Sequence, residues 1–295
     1  MKNTINTIIL ALTITAFPLS SAFGSFTLFG GNSEPPPPER KTVSPLTAPF
    51  MHEDAFITTD LRAWYITHEL GEINGSLDVA ALQVRVALFE NLQFVAYKDG
   101  YANFQDTDLD PLLDDGWNDL GLGLKYALFQ DWGSQTHVAV GLGYEFGIGD
   151  DQVLQDTDEY RLWISANKGF GKLHFGATAN YIIAADGKYD GLLGNSDMLT
   201  LHFHADYFVN KYFSPVFELN GYFVQEANSG VGSVSGVDVV SINGGEDEDT
   251  ITYALGFEVR PCDKLGLRTA YETQLNNSEK SLFGYRWSFS AVYEF

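Results

Sequence analysis

Residues 283–295 read FGYRWSFSAVYEF. Phe283, Tyr285, Trp287, Phe289, Ala291, Tyr293 and Phe295 occupy every second position, and Gly284, Arg286, Ser288, Ser290, Val292 and Glu294 fill the gaps. A period of two puts the large apolar groups on one face of a β-strand and the mostly polar set on the other. The fold turns on which solvent each face meets.

The pattern recurs upstream. It predicts strands over 58–68, 77–88, 92–101, 117–128, 135–146, 159–168, 172–183, 198–208, 213–224, 250–260, 265–274 and 282–295, twelve in all. Leu120, Leu122, Leu124 and Tyr126 alternate with Gly121, Gly123 and Lys125; Leu199, Leu201 and Phe203 alternate with Thr200, His202 and His204. In the third strand either face of Gln93 to Asp99 could point outward.

The connections alternate in length. Short turns lie at 89–91, 129–134, 169–171, 209–212 and 261–264; longer connections lie at 69–76, 102–116, 147–158, 184–197 and 225–249. An even-stranded up-and-down barrel places alternate connections on opposite rims. Formal charge supports the same division. The five long connections carry −2, −5, −4, −2 and −6, −19 in all, whereas Glu90, Asp131 and Asp263 at the short turns are balanced by Lys211 and Lys264 there and by Lys172 one residue beyond.

The two solvents can now be weighed. The inward face holds Arg62, Arg85, Lys125, Glu145, Arg161, His174, His202, His204, Asp206, Glu218, Glu258, Arg268, Glu272 and Arg286. Burying so many charges in a dry core costs several kcal/mol each. Turned to water instead, the apolar faces would expose far more than the roughly 300–600 Å² patch a soluble monomer carries. Both conflicts vanish when the apolar face meets lipid and the polar face lines a watery lumen. The expected fold is therefore an all-β, transmembrane, antiparallel up-and-down barrel of about twelve strands, spanning 58–295.

Residues 1–24, MKNTINTIILALTITAFPLSSAFG, read as a signal peptide: Lys2, an apolar run from Ile8 to Phe17, then small residues. Residues 25–57 include Pro35 to Pro38 and read as a Pro-rich periplasmic leader, either disordered or plug-like. With both termini periplasmic, the long connections face the cell exterior. Tyr293 and Phe295 resemble the C-terminal signal by which the barrel assembly machinery recognises outer-membrane proteins. The compartment expected is the cell outer membrane, with its lipid and lipopolysaccharide as partners.

The net charge of −22, from 39 acidic and 17 basic residues, excludes nucleic acid as a partner. The single cysteine, Cys262, excludes an internal disulfide. No nucleophile elbow or convergent Ser–His–Asp set is legible, so an enzyme is not expected.

The candidates for solute selection are the inward Arg62, Arg85, Lys125, Glu145, Arg161, His202, His204, Glu218, Glu258, Arg268, Glu272 and Arg286. The same residues could equally form an internal salt-bridge network that stiffens the wall. His202 and His204 share a face with Asp206, a spacing open to metal ligation. Asp106, Asp108 and Asp110 start like a calcium loop, but Pro111 stands where glycine is needed and Trp117 where the bidentate Glu belongs. With Glu246, Asp247, Glu248 and Asp249 they permit loose calcium or magnesium binding at the external rim; no other cofactor is implied. An acidic rim favours cations at that entrance.

GWNDLGLGLKYALF, residues 116–129, resembles a segment of the outer-membrane barrels assigned to the meta-cleavage (MetA) pathway of phenol degradation, on Asp119, Leu120, Gly123, Lys125 and Tyr126. That resemblance implies a transporter-like barrel passing small, hydrophobic or aromatic compounds. The residue pattern alone leaves two functions open: a channel or transporter for small solutes, and a closed structural or surface-binding barrel with acidic external loops.

Overall fold

The computed structural model describes residues 27–30, 37–71, 74–108, 114–150, 153, 158–185, 196–226, 249–276 and 283–295. The signal peptide lies outside them. Fourteen β-segments form one sheet: β1 (Asp60–Leu70), β2 (Ser76–Phe89), β3 (Leu92–Lys98), β4 (Tyr101–Gln105), β5 (Gly116–Trp117), β6 (Leu120–Asp131), β7 (Thr136–Phe146), β8 (Glu159–Phe170), β9 (Leu173–Ala184), β10 (Asp197–Tyr207), β11 (Phe213–Glu226), β12 (Thr250–Cys262), β13 (Leu265–Gln274) and β14 (Phe283–Glu294). Segments β3 and β4 are one wall strand in two pieces, as are β5 and β6, so the wall has 12 strands.

Every pairing is antiparallel between chain neighbours, and β1 closes on β14 with Ala63 opposite Ala291 and Tyr65 opposite Phe289. Among the described residues, closure gives each of the 12 wall strands a neighbour on both sides, the condition for a sheet in lipid. The third and fourth strands differ from the sequence expectation because the chain interrupts its ladder twice. Gly100 takes a φ of +121°, which glycine alone adopts freely, and the carboxylate of Asp99 accepts the backbone N–H of Leu82 at 3.0 Å. Asn118 donates its backbone N–H to the carbonyl of Gly100 at 2.8 Å, bridging the second break. The ambiguity in β3 resolves with Gln93, Val95 and Tyr97 inward.

The outer face is the apolar one. Tyr65, Leu82, Leu124, Tyr126, Leu142, Leu162, Ile164, Leu201, Phe203, Leu255, Phe257, Trp287 and Phe289 are exposed on it. Such a band is a surface for acyl chains.

The interior departs from the expectation of a watery lumen. The inward Arg, Lys, Glu and His side chains are nearly all buried, and so are Leu46, Thr47, Phe50, Met51, Glu53, Asp54 and Ala55. The stretch from Lys41 to Thr59 runs inside the wall as a strap, entering and leaving at the short-turn rim. Its turn is set at Ala48, whose φ of 48° is left-handed, with the N–H groups of Met51 and His52 donating to the Ala48 carbonyl at 3.0 and 2.8 Å. Just upstream, Leu28 and Phe29 donate backbone N–H groups to the carbonyls of Ala87 and Leu88, extending β2 beyond the point where β1 starts.

The glycines of β6 and β7 make room for inward rings. A Cβ on Gly141 would lie 2.0 Å from the Trp163 ring. Gly141→Val should therefore force Trp163 off its site and cost about 1–3 kcal/mol, measured as a lowered urea midpoint for the barrel in liposomes; an unchanged midpoint would show that the ring has room to move.

Candidate functional site

The wall holds the strap through its charged residues. On β10 and β11, Asp206 and Glu218 act as acceptors for the strap's backbone. Val43 donates its N–H to Asp206 at 3.2 Å, and Leu46 and Thr47 donate theirs to the two oxygens of Glu218, each at 2.8 Å. The Thr47 hydroxyl donates to Glu218 as well, and Asn220 donates to that hydroxyl at 2.9 Å. A turn's free amide groups thus find ionised acceptors, which make stronger hydrogen bonds than neutral ones.

On the other side the polarity reverses. Arg161 donates to the carbonyls of Phe50 and Met51, the latter at 2.7 Å, and Gln83 donates to the Pro49 carbonyl at 2.9 Å. Glu53 pairs with Arg85, and Lys125 stands 3.6 Å from it. Asp54 pairs with Arg62 at 3.2 Å and Lys125 at 3.4 Å, and Asn167 accepts the Ala55 N–H at 2.7 Å. Burial alone would raise both strap carboxyls; the neighbouring Arg85, Lys125 and Arg62 more than offset it and hold Glu53 and Asp54 below the usual carboxylate range. The strap leaves over Phe56, which stacks on Trp132 at 5.2 Å and meets His137 edge-on.

The remaining inward candidates pair among themselves. Glu258 faces Arg268 in register and binds it at 2.7 Å, with Arg260 on the same carboxylate at 2.5 Å. Glu272 faces Arg286 and binds it at 2.5 Å. Lys98 binds Glu145 at 2.5 Å. At the short-turn rim Lys41 pairs with Glu294, which Arg260 also reaches at 3.4 Å.

Three of the inward histidines, His174, His202 and His204, are committed to hydrogen bonds. His202 lies between Asn220 at 2.7 Å and Thr200 at 2.9 Å, and His174 reaches Asp206 at 2.9 Å. Both ring nitrogens of His204 face carboxylates, Glu218 at 2.7 Å and Asp206 at 3.2 Å; carboxylates only accept, so this ring donates twice and is cationic. Among the described residues, no group of three or more His, Cys, Asp or Glu is placed to hold a metal ion. Asp108 accepts from Asn74 at 2.7 Å, and the Asp249 carbonyl accepts from Asn276 at 2.6 Å. Asp106 adopts a φ of 51° at the end of β4. Asp110, Glu246, Asp247 and Glu248 lie outside the described residues. Tyr293 packs edge-on against Phe295, whose N–H donates to the Thr59 carbonyl at 3.1 Å.

The strap residues Phe50, His52, Glu53 and Asp54 lie on no strand, so strand parity does not reach them. Their signal was the apolar and aromatic content of TAPFMHEDAFI, residues 47–57, which a solvated linker has no use for.

No family model matches the chain, and no curated protein matches it. Solved structures do. An outer-membrane channel from Pseudomonas putida F1 superposes with a TM-score of 0.59 at 13% identity, over 86% of this chain and 100% of that one. The NanC porin superposes with a TM-score of 0.52 at 12% identity, over 81% of this chain and 100% of that one. At such identities the likeness establishes the fold, a closed antiparallel barrel of the outer-membrane, porin-like kind.

Two predictions follow from the strap's contacts. Glu218→Ala removes an ionised acceptor serving two amides and a hydroxyl; at about 1.5–3 kcal/mol for a hydrogen bond to a charged group, hydrogen exchange at Leu46 and Thr47 should accelerate by about 10- to 100-fold. Unchanged protection would mean that Glu218 does not hold the strap. The second concerns His52, which stacks on His202 at 5.1 Å and meets His204 at 6.2 Å, with Arg161 and Asp54 as its other charged neighbours. Burial, then the two imidazoles, hold His52 well below its usual range. The docked strap therefore binds fewer protons here than the released one. Docking should be pH-independent above about 6.5 and weaken by up to about tenfold per pH unit below it. Exchange at the same amides, corrected for intrinsic rates, should show this between pH 7.5 and 5.5, and His52→Asn should remove it.

Proposed function

We propose that this chain is an outer-membrane channel or transporter for small solutes, with the strap Lys41–Thr59 occupying its lumen at rest. The observation that carries this reading is the chemistry of the strap–wall interface. A barrel filled only for rigidity is best served by apolar packing, since buried ion pairs add little net stability over apolar residues of the same shape. Here the strap's backbone is held by Asp206, Glu218 and Arg161, and its carboxylates by Arg62, Arg85 and Lys125. Water can take over each of those hydrogen bonds when the strap withdraws. An apolar lining would have no such substitute, so a polar interface is one that can open.

The short-turn rim, with the strap's entry and exit, is assigned to the periplasm, and the long acidic connections to the exterior. Their charge would favour cations at that entrance at low salt. The resemblance at residues 116–129 supports small hydrophobic or aromatic compounds as cargo. The second reading, a closed structural barrel, draws on the completeness of strap pairing. Planar bilayers separate the two. The intact protein should conduct in small, interrupted steps, and a variant lacking residues 42–56 should show a unitary conductance at least several-fold larger. Silence from both proteins, with the deletion variant inserted and folded, would leave the closed barrel standing.

A further inference from the structure

The wall supplies counter-ions for most of its buried cations but leaves one group dependent on the strap. Arg268, Arg286 and Lys98 each pair with a wall carboxylate, two of them with their register partner. Arg85 has Glu53 of the strap, reached by Nη2 and, at 3.4 Å, by Nε, and beyond it only the amide of Gln83 at 3.3 Å. Lys125 has the Asp54 carbonyl at 3.0 Å, the Asp54 carboxylate at 3.4 Å and Glu53 at 3.6 Å. Arg161 has two strap carbonyls and Asn180.

The register offers these cations little else. Lys125 lies opposite Gln93 and Gly141, and Arg161 opposite Gly143 and Ile182. Arg85 lies opposite Asp60, but that carboxylate is held by Arg62 at 2.8 Å. With the strap withdrawn, the wall carboxylates left to Arg62, Arg85, Lys125 and Arg161 among the described residues are Asp60, already held by Arg62, and, near Arg161, Glu145, already held by Lys98. The strap answers this excess with two adjacent carboxylates. The Arg85 fork meets Glu53 through two nitrogens, a geometry matched to a planar carboxylate, and Lys125 bridges Glu53 to Asp54.

We propose that Arg85, Lys125 and Arg161, with Arg62, form a binding site for a small dicarboxylate solute, which competes with Glu53 and Asp54 for the wall and so promotes withdrawal of the strap. The competition rests on the channel reading; the site itself does not. Linkage requires reciprocity: the factor by which a bound solute weakens the strap's hold is the factor by which the docked strap weakens the solute's.

The probe is succinate, titrated calorimetrically into the folded, detergent-solubilised full chain. The E53Q/D54N variant should bind one succinate at least tenfold more tightly than the unaltered protein. Acetate at twice the concentration should not reproduce the heat, and adding R85Q/K125Q should lower the affinity at least tenfold. If E53Q/D54N fails to assemble, as judged by heat-modifiable gel mobility, D54N alone should give a gain of about threefold. In bilayers, succinate on the short-turn side, away from the acidic rim, should raise the open fraction of the intact protein several-fold.

A folded E53Q/D54N protein that binds no succinate, or binds it regardless of R85Q/K125Q, overturns the site. A strap-deleted protein that conducts but is indifferent to succinate also overturns it and leaves the channel reading intact. A strap-deleted barrel that is silent yet binds succinate supports the site and removes only the channel.

Discussion

Backbone hydrogen bonding between β1 and β14 is the constraint on which the rest of this molecule depends. A sheet in hydrocarbon cannot leave N–H and C=O groups unpaired, so the first strand must find the last. Once Asp60–Leu70 pairs with Phe283–Glu294, alternation along each strand does the remaining sorting: most of the Leu, Phe and Tyr side chains outward, and Arg, Lys, Glu and His inward with a few rings such as Tyr97 and Trp163. Closing twelve strands also creates a space wider than wall side chains alone fill. In this chain that space is taken up by a length of its own backbone.

A luminal strap raises a problem that strands do not have. Its amides and carbonyls lack a ladder, and its turn at Ala48 leaves several of them without internal partners. The wall meets this demand with ionised side chains, sorted by sign. Asp206 and Glu218 face the strap's donors, while Arg161, Arg85, Lys125 and Arg62 face its carbonyls and carboxylates. The wall therefore presents opposed fields across the lumen, and the strap is oriented between them much as a bound peptide would be.

Much of this was legible in the sequence because a period of two is a local signal. RWSFSAVYEF announces its two faces without reference to any other strand, and the inward charges follow by parity. The strand breaks at Asp99–Gly100 and Asn118–Asp119 were not legible, because they rest on contacts between segments, Asp99 with the Leu82 N–H and the Asn118 N–H with the Gly100 carbonyl. Nor did parity reveal which charges meet. Glu258 with Arg268 and Glu272 with Arg286 follow from register, but Glu53 with Arg85 and Lys125 joins an irregular segment to two strands far along the chain. The proline run before the strap has the composition of a spacer, and the residues that pack are the apolar ones after it.

The strap continues directly into β1 at Asp60, and the chain before it is bound to the end of β2 at Leu28 and Phe29. Both of its ends are thus moored to one sector of one rim. If the barrel is the channel proposed above, a blocking segment leashed in this way never dilutes: once displaced, it remains at a local concentration of the order of millimolar, the range typical of short tethers. Resealing is then a unimolecular step, indifferent to how many barrels a membrane holds, and any solute that holds the passage open must match the persistence of a competitor that cannot wander off.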